Sequence, residues 1–149
     1  MAMVIKGEVL IAASRQIVWD KLNDPGVLQR CIPGCEDLEK IDEGFRATAK
    51  VRIGPVSARF RGKVTLSDLD PPNGYRISGE GEGGVAGFAK GGAVVTLTDS
   101  EGGTLLAYDV DAQIGGKLAQ LGQRLIDGSA RKIADEFFSK FQKIVQSTV

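Results

Sequence analysis

The 149-residue chain contains no histidine. That removes histidine-based catalytic triads, histidine general bases and histidine metal ligands together. Its two cysteines cannot fill a four-ligand structural zinc site when no histidine can help them. Neither sign of charge is in excess: 19 basic and 19 acidic residues give a formal net charge of zero, so no bulk attraction to nucleic acid is expected. No apolar run approaches the roughly 18 residues of a membrane span. The start, Met1 to Glu8, is interrupted by charge at Lys6 and Glu8 and does not read as a signal peptide, so a cytoplasmic location is expected. What remains, 42% hydrophobic and 26% charged residues, is the composition of a globular protein long enough to bury a core. No linker or repeat divides it, and residues 1–149 are expected to form one domain.

The patterning predicts an α+β chain whose last element covers a sheet. Met3 to Ala12 alternates as a strand, with Ile5, Gly7, Val9 and Ile11 on one face. Ser14 reads as the N-cap of a short helix, Arg15 to Leu22. Asp24-Pro25 starts a second, which stops before Pro33-Gly34. From Leu38 two-residue alternation takes over, broken by turns at Gly54-Pro55, Asp70 to Gly74 and Asp99 to Gly103. Short hairpins make such a sheet antiparallel, and its apolar face needs a cover. From Lys117 to Val145, Ile126, Ala130, Ile133, Phe137, Phe141 and Ile144 form one helical stripe. That helix would be roughly 40 Å long. Gly122, Gly128 and Ser129 fall near the stripe, which fits either close helix–sheet packing or a cavity between the two.

Few motifs carry chemistry. Cys31-Ile-Pro-Gly-Cys35 has the wrong spacing for a thioredoxin-type pair; its thiols are structural or redox-active. Gly79 to Gly84 spells the dinucleotide fingerprint, but two glutamates sit inside it and strand, not helix, follows, so a bulged or flexible hairpin is the better reading. Phe88 at its tip is either tucked into the core or free to touch a partner or lipid. Counting across Gly54-Pro55 pairs Arg52 with Ser57, Lys50 with Arg59, Thr48 with Arg61 and Arg46 with Lys63. Like charges facing one another need a neutralising neighbour, which Glu80 and Glu82 could be, or an acidic partner or anionic lipid. Inward polar groups are few: Tyr75 and Tyr108, with the Trp19 indole and Cys31. Aromatic walls with one or two hydroxyls suit a large apolar ligand with a polar head, or an ordinary core.

The N-terminal strand, the Ser14 to Leu22 helix, Asp24-Pro25 with Cys31-Ile-Pro-Gly-Cys35, and the meander with its long helix resemble the CoxG family of carbon monoxide dehydrogenase subunits. That family lies within the Bet v 1/START-like (SRPBCC) superfamily. The resemblance implies a helix-grip fold, a seven-stranded antiparallel sheet wrapped around the C-terminal helix with two short N-terminal helices and an apolar cavity. It implies an accessory protein and no enzyme, serving a molybdenum hydroxylase such as CO dehydrogenase. It further implies a role in coupling that enzyme to the membrane and a bound quinone, menaquinone-like, or another apolar lipid, with no intrinsic cofactor and no metal. The expected ligand site is Trp19, Phe45, Phe60, Tyr75, Tyr108, Leu118, Leu121 and Leu125, with Cys31 and Phe88 at a mouth made by the Cys31–Cys35 loop and the Gly83–Gly92 hairpin. Arg46, Lys50, Arg59, Arg61 and Lys63 are the expected partner or membrane contact; a second copy of the chain is the other expected partner. No catalytic residue is assigned. Longer members carry a C-terminal extension that helps hold the membrane; this chain ends at Val149, so only a weak peripheral contact at the inner face is expected. Two other readings stand beside the carrier: a polyketide cyclase or aromatase using the same cavity, and a protein-binding chaperone using the basic face.

Overall fold

A computed structural model describes residues 1–147; Val149, on which the expectation about anchoring turned, lies outside them. Seven strands form one antiparallel sheet: β1 (Ala2–Ile11), β2 (Cys35–Ile41), β3 (Gly44–Ile53), β4 (Val56–Asp70), β5 (Gly74–Glu82), β6 (Phe88–Ser100) and β7 (Gly103–Gly115). Their order across the sheet is β1-β7-β6-β5-β4-β3-β2. Strands β2 to β7 are a meander, each paired with the next. Only β1 breaks the sequence, lying on the far side of β7. The chain must therefore cross from one sheet edge to the other after β1. It does so through α1 (Arg15–Leu22) and α2 (Pro25–Cys31).

Both short helices start where their caps dictate. The Ser14 side chain accepts from the Ile17 amide, and Asp24 Oδ1 accepts from Gly26 (2.9 Å) and Val27 (3.3 Å) with Pro25 in the first turn. The β3–β4 hairpin has the expected register: Arg52↔Ser57, Lys50↔Arg59, Thr48↔Arg61 and Arg46↔Lys63, turned by Gly54 at φ 56°. Irregularities between Cys35 and Asp37 and between Ser67 and Asp70, where Asp68 takes φ 50°, bend the sheet at two places. The Gly79–Gly84 segment is strand β5 running into a 3-10 turn at Gly84–Ala86, so the dinucleotide reading fails on its required helix.

The terminal helix is shorter than its periodicity predicts. Residues Gly116–Leu121 form a 3-10 turn, and α3 runs from Gln123 to Gln146, 24 residues or about 36 Å. Gly122, at φ 93°, separates the two, because that backbone conformation cannot continue a right-handed helix. The stripe also drifts. Ile126, Phe141 and Val145 are buried, whereas Ile133 is 38% exposed and Ala134 takes the inward place. Gly128 is exposed, with nothing within 4 Å of where its Cβ would be. It does not create room under the helix.

Two separate apolar clusters hold α3 at its ends. One joins Phe141 and Val145 to Trp19, Cys31, Leu97 and Leu106. The other joins Ile126 to Ile114 and Leu118, with Ile53, Val56 and Phe60 packed against them. Between them the concave side of the sheet is carpeted with small residues, including Ala49, Ala58, Gly81, Ala93 and Ala112, none fully buried.

Candidate apolar binding site

Where α1, α2 and α3 bridge the sheet they leave a hollow of about 290 Å³. The sheet contributes Leu38 from β2, Phe45 and Ala47 from β3, Gly62, Val64 and Leu66 from β4, Tyr75 and Ile77 from β5, Val95 from β6 and Leu106 from β7. Alternation puts all of these on one face. The helical side contributes Leu22, Leu28, Ile32, Phe137 and Phe138. Gly62 and Ala47 are adjacent partners in the β3–β4 register, and together they remove the side-chain bulk that would otherwise fill the floor. Leu28, Ile32, Leu38, Phe137 and Phe138 are half-buried, so the hollow communicates with solvent along the α2 flank. Larger depressions, up to 610 Å³ beside Arg76, Lys90, Asp109 and Asp111, are open saddles on the convex face with charged walls.

Among the described residues Tyr75 carries the only polar side chain in the lining. Its ring stands edge-on to Trp19, with centroids 5.3 Å apart and planes at 85°. Its hydroxyl has no hydrogen-bond partner among the described residues, and it is not sealed within protein either. Burial pushes its pKa up to about 12.

Of the side chains expected at the ligand site, the structure brings Phe45 and Tyr75 to the hollow. Trp19 stands behind Tyr75, and Cys31 is wholly buried in the first cluster. Tyr108 stacks on Phe138 (5.4 Å, 17°), one layer back from the lining. Its ring covers Gly7 on the paired strand, where a Cβ would collide with it. Phe60, Leu118 and Leu121 belong to the second cluster. Leu125 is 38% exposed and lies against Gly54. Phe88 is 45% exposed on the convex side, its ring laid over Gly115. The Gly83–Gly92 hairpin therefore sits at the opposite end from the hollow, while Ile32 of the Cys31–Cys35 loop does line it. Patterning did not point to Leu28 and Ile32, although their four-residue spacing puts them on one face of the α2 end, nor to Phe138 beside the stripe residue Phe137.

Both cysteines are free thiols. Burial raises the pKa of Cys31 and, foremost among several causes, that of Cys35, so neither is poised as a thiolate. Among the described residues no group of acidic or cysteine side chains could hold a metal ion.

On the convex face Arg46, Lys50, Arg59, Arg61 and Lys63 line up as the register requires. Glu80 and Glu82 lie beside Lys63 and Arg61. The ion pairs that form come from the other side, from β2: Arg59 to Glu36 at 2.7 Å and Arg46 to Glu39 at 3.1 Å. The hydrogen bond from Arg59 lowers the Glu36 pKa. Lys50, Arg61 and Lys63 have no ion pair within 4 Å among the described residues.

Residues 7–146 match the carbon monoxide dehydrogenase CoxG family. A conserved protein from Geobacillus kaustophilus superposes with a TM-score of 0.91 at 33% identity, over 99% of this chain and 97% of that one. A START superfamily protein from Mycobacterium smegmatis gives a TM-score of 0.72 at 14% identity, covering 98% of this chain and 99% of that one. The protein Ara h 8.0201 gives 0.66 at 12% identity, covering 99% of each. These last two likenesses are of fold. A comparison with curated protein sequences finds no match. No helix among the described residues is long and apolar enough to cross a membrane.

Proposed function

The chain belongs to the carbon monoxide dehydrogenase CoxG family, and we propose that it is the non-catalytic carrier of an apolar ligand for a molybdenum hydroxylase of the CO dehydrogenase type. The ligand class is an isoprenoid quinone, menaquinone-like, or a lipid of similar shape. The hollow supports this reading: an apolar space of about 290 Å³ beside the first cluster, lined among the described residues by hydrocarbon apart from one hydroxyl. Burying an apolar ligand there contributes about 25 cal/mol per Å², less the cost of ordering it. Pockets for drug-sized ligands begin near about 300 Å³. The hollow thus takes a ring and the start of a tail, and the rest of a long tail follows the strip of small residues towards the second cluster.

A cyclase or aromatase reaction is the weaker reading. It needs an acid or base whose pKa lies near the working pH, and burial pushes Tyr75, the one titratable side chain among the described lining residues, up to about 12, further from that range. The basic strip on β3 and β4 is the surface proposed to meet the enzyme partner or anionic lipid headgroups.

Trp19, the chain's single tryptophan, lies against a lining residue and serves as the reporter. Delipidated protein titrated with a short-tailed menaquinone analogue should show saturable quenching of its fluorescence. Absence of uptake, by fluorescence and by native mass spectrometry, would remove the carrier reading.

A further inference from the structure

We infer that the Tyr75 hydroxyl is the polar anchor of the hollow, donating a hydrogen bond to a neutral carbonyl oxygen on an otherwise apolar ligand. The inference rests on the reading that the hollow holds such a ligand, and it narrows the ligand's chemistry. Tyr75 is 7% exposed, yet the protein supplies its hydroxyl with no partner among the described residues. The hydroxyl is not sealed within protein, so its hydrogen-bonding capacity is left open to a molecule that enters the hollow. A phenylalanine would fill the same place and offer a ligand no donor.

The ring is not free to turn its hydroxyl elsewhere. Trp19 holds it edge-on, and strand alternation sends its side chain to the concave side with Ile77 and Val95. The surface depression near Arg15, Asn73 and Asp99 also borders residue 75. Its neighbours there, Gly74, Arg76, Val94 and Thr96, flank the inward residues 75 and 95 in sequence, so strand alternation points the Tyr75 side chain away from that depression.

The surroundings select what the hydroxyl can bind. The lining holds no lysine or arginine. A carboxylate seated there would be desolvated with one donor and no counter-charge, which strongly disfavours ionised fatty acids. A ketone or quinone carbonyl needs only one donor. A carbonyl-free hydrocarbon would fill the space and leave the hydroxyl unmet.

The test compares wild type with Tyr75→Phe against three probes: 2-methyl-1,4-naphthoquinone, the similarly shaped 2-methylnaphthalene, and decanoate at pH 7. The substitution should weaken quinone binding roughly three- to tenfold, the worth of one hydrogen bond. It should leave naphthalene binding unchanged or tighter. Decanoate should bind wild type more weakly than the quinone does. The ligand-free melting temperature of Tyr75→Phe should equal or exceed that of wild type, which shows that the variant folds and that the hydroxyl does not serve the fold. Quinone binding undiminished in the variant, an equal loss for quinone and naphthalene, or decanoate bound in preference would overturn the anchor while leaving the carrier reading intact. If wild type takes up neither aromatic probe, the carrier reading falls and the anchor falls with it.

Discussion

Tyr75 and Cys31 keep their protons for the same reason: each is neutral when protonated and each is buried. The native state then holds the proton at a pH where the unfolded chain has released it. Stability is full below the unfolded-state pKa and declines as pH rises above it. For Tyr75 the window opens near 10 and closes near about 12, and the loss across it is roughly 3 kcal/mol. Urea titrations at pH 8, 10 and 11 should show wild type losing stability that Tyr75→Phe keeps. The Cys31 contribution declines in the same direction from about pH 8.5 upwards. In the folded protein at pH 8, iodoacetamide should label Cys35 before Cys31, since only Cys35 has any exposure. The two tyrosines show how far single residues could be read from the sequence. Both alternate inward, and nothing in that pattern separates them. They are told apart by what stands opposite: Gly7 pairs with Tyr108 and receives its ring, while Trp19, remote in sequence, props Tyr75 at the hollow. Phe45 could be read from alternation alone; Leu28 and Ile32 could not, because their place depends on where α2 comes to rest.

At the scale of elements, local signals set what they govern directly. Caps fixed the starts of α1 and α2, and a two-residue turn fixed the β3–β4 register. Replacing Asp24 with alanine should therefore cost about 1 kcal/mol in urea unfolding. The start of α3 was less legible, since apolar spacing continues through Leu118 and Leu121 while the backbone does not. Periodicity reports which faces are greasy; it does not report the sign of φ at Gly122. Gly122→Ala forces a side chain into that conformation, and although its Cβ would meet no atom within 4 Å, a loss of about 1–2 kcal/mol is expected. Room beneath the helix comes from the sheet floor. Ala47→Leu adds three carbons to that floor and should abolish uptake of the quinone analogue, with thermal stability kept or raised, as read by titration and melting in parallel.

For the whole molecule, the separation of faces matters most. The hollow opens on the concave side, and the basic strip of β3 and β4 lies on the convex side. Arg61→Ser combined with Lys63→Ser should weaken capture of the proposed enzyme partner and flatten its salt dependence, leaving uptake of the proposed quinone ligand as it was. Loss of both together would contradict the assignment of two separate surfaces.

Pairing β1 with β7 alone has a consequence for how the protein is made. Strand β1 has no mate until residues 103–115 have been synthesised. Hairpins from β2 onward can zip as they emerge, but β1 must wait with its backbone bonded to water and its apolar face uncovered. Closure is thus postponed until β7 has emerged. A ribosome stalled before β7 would hold a nascent chain that proteases clip first within β1.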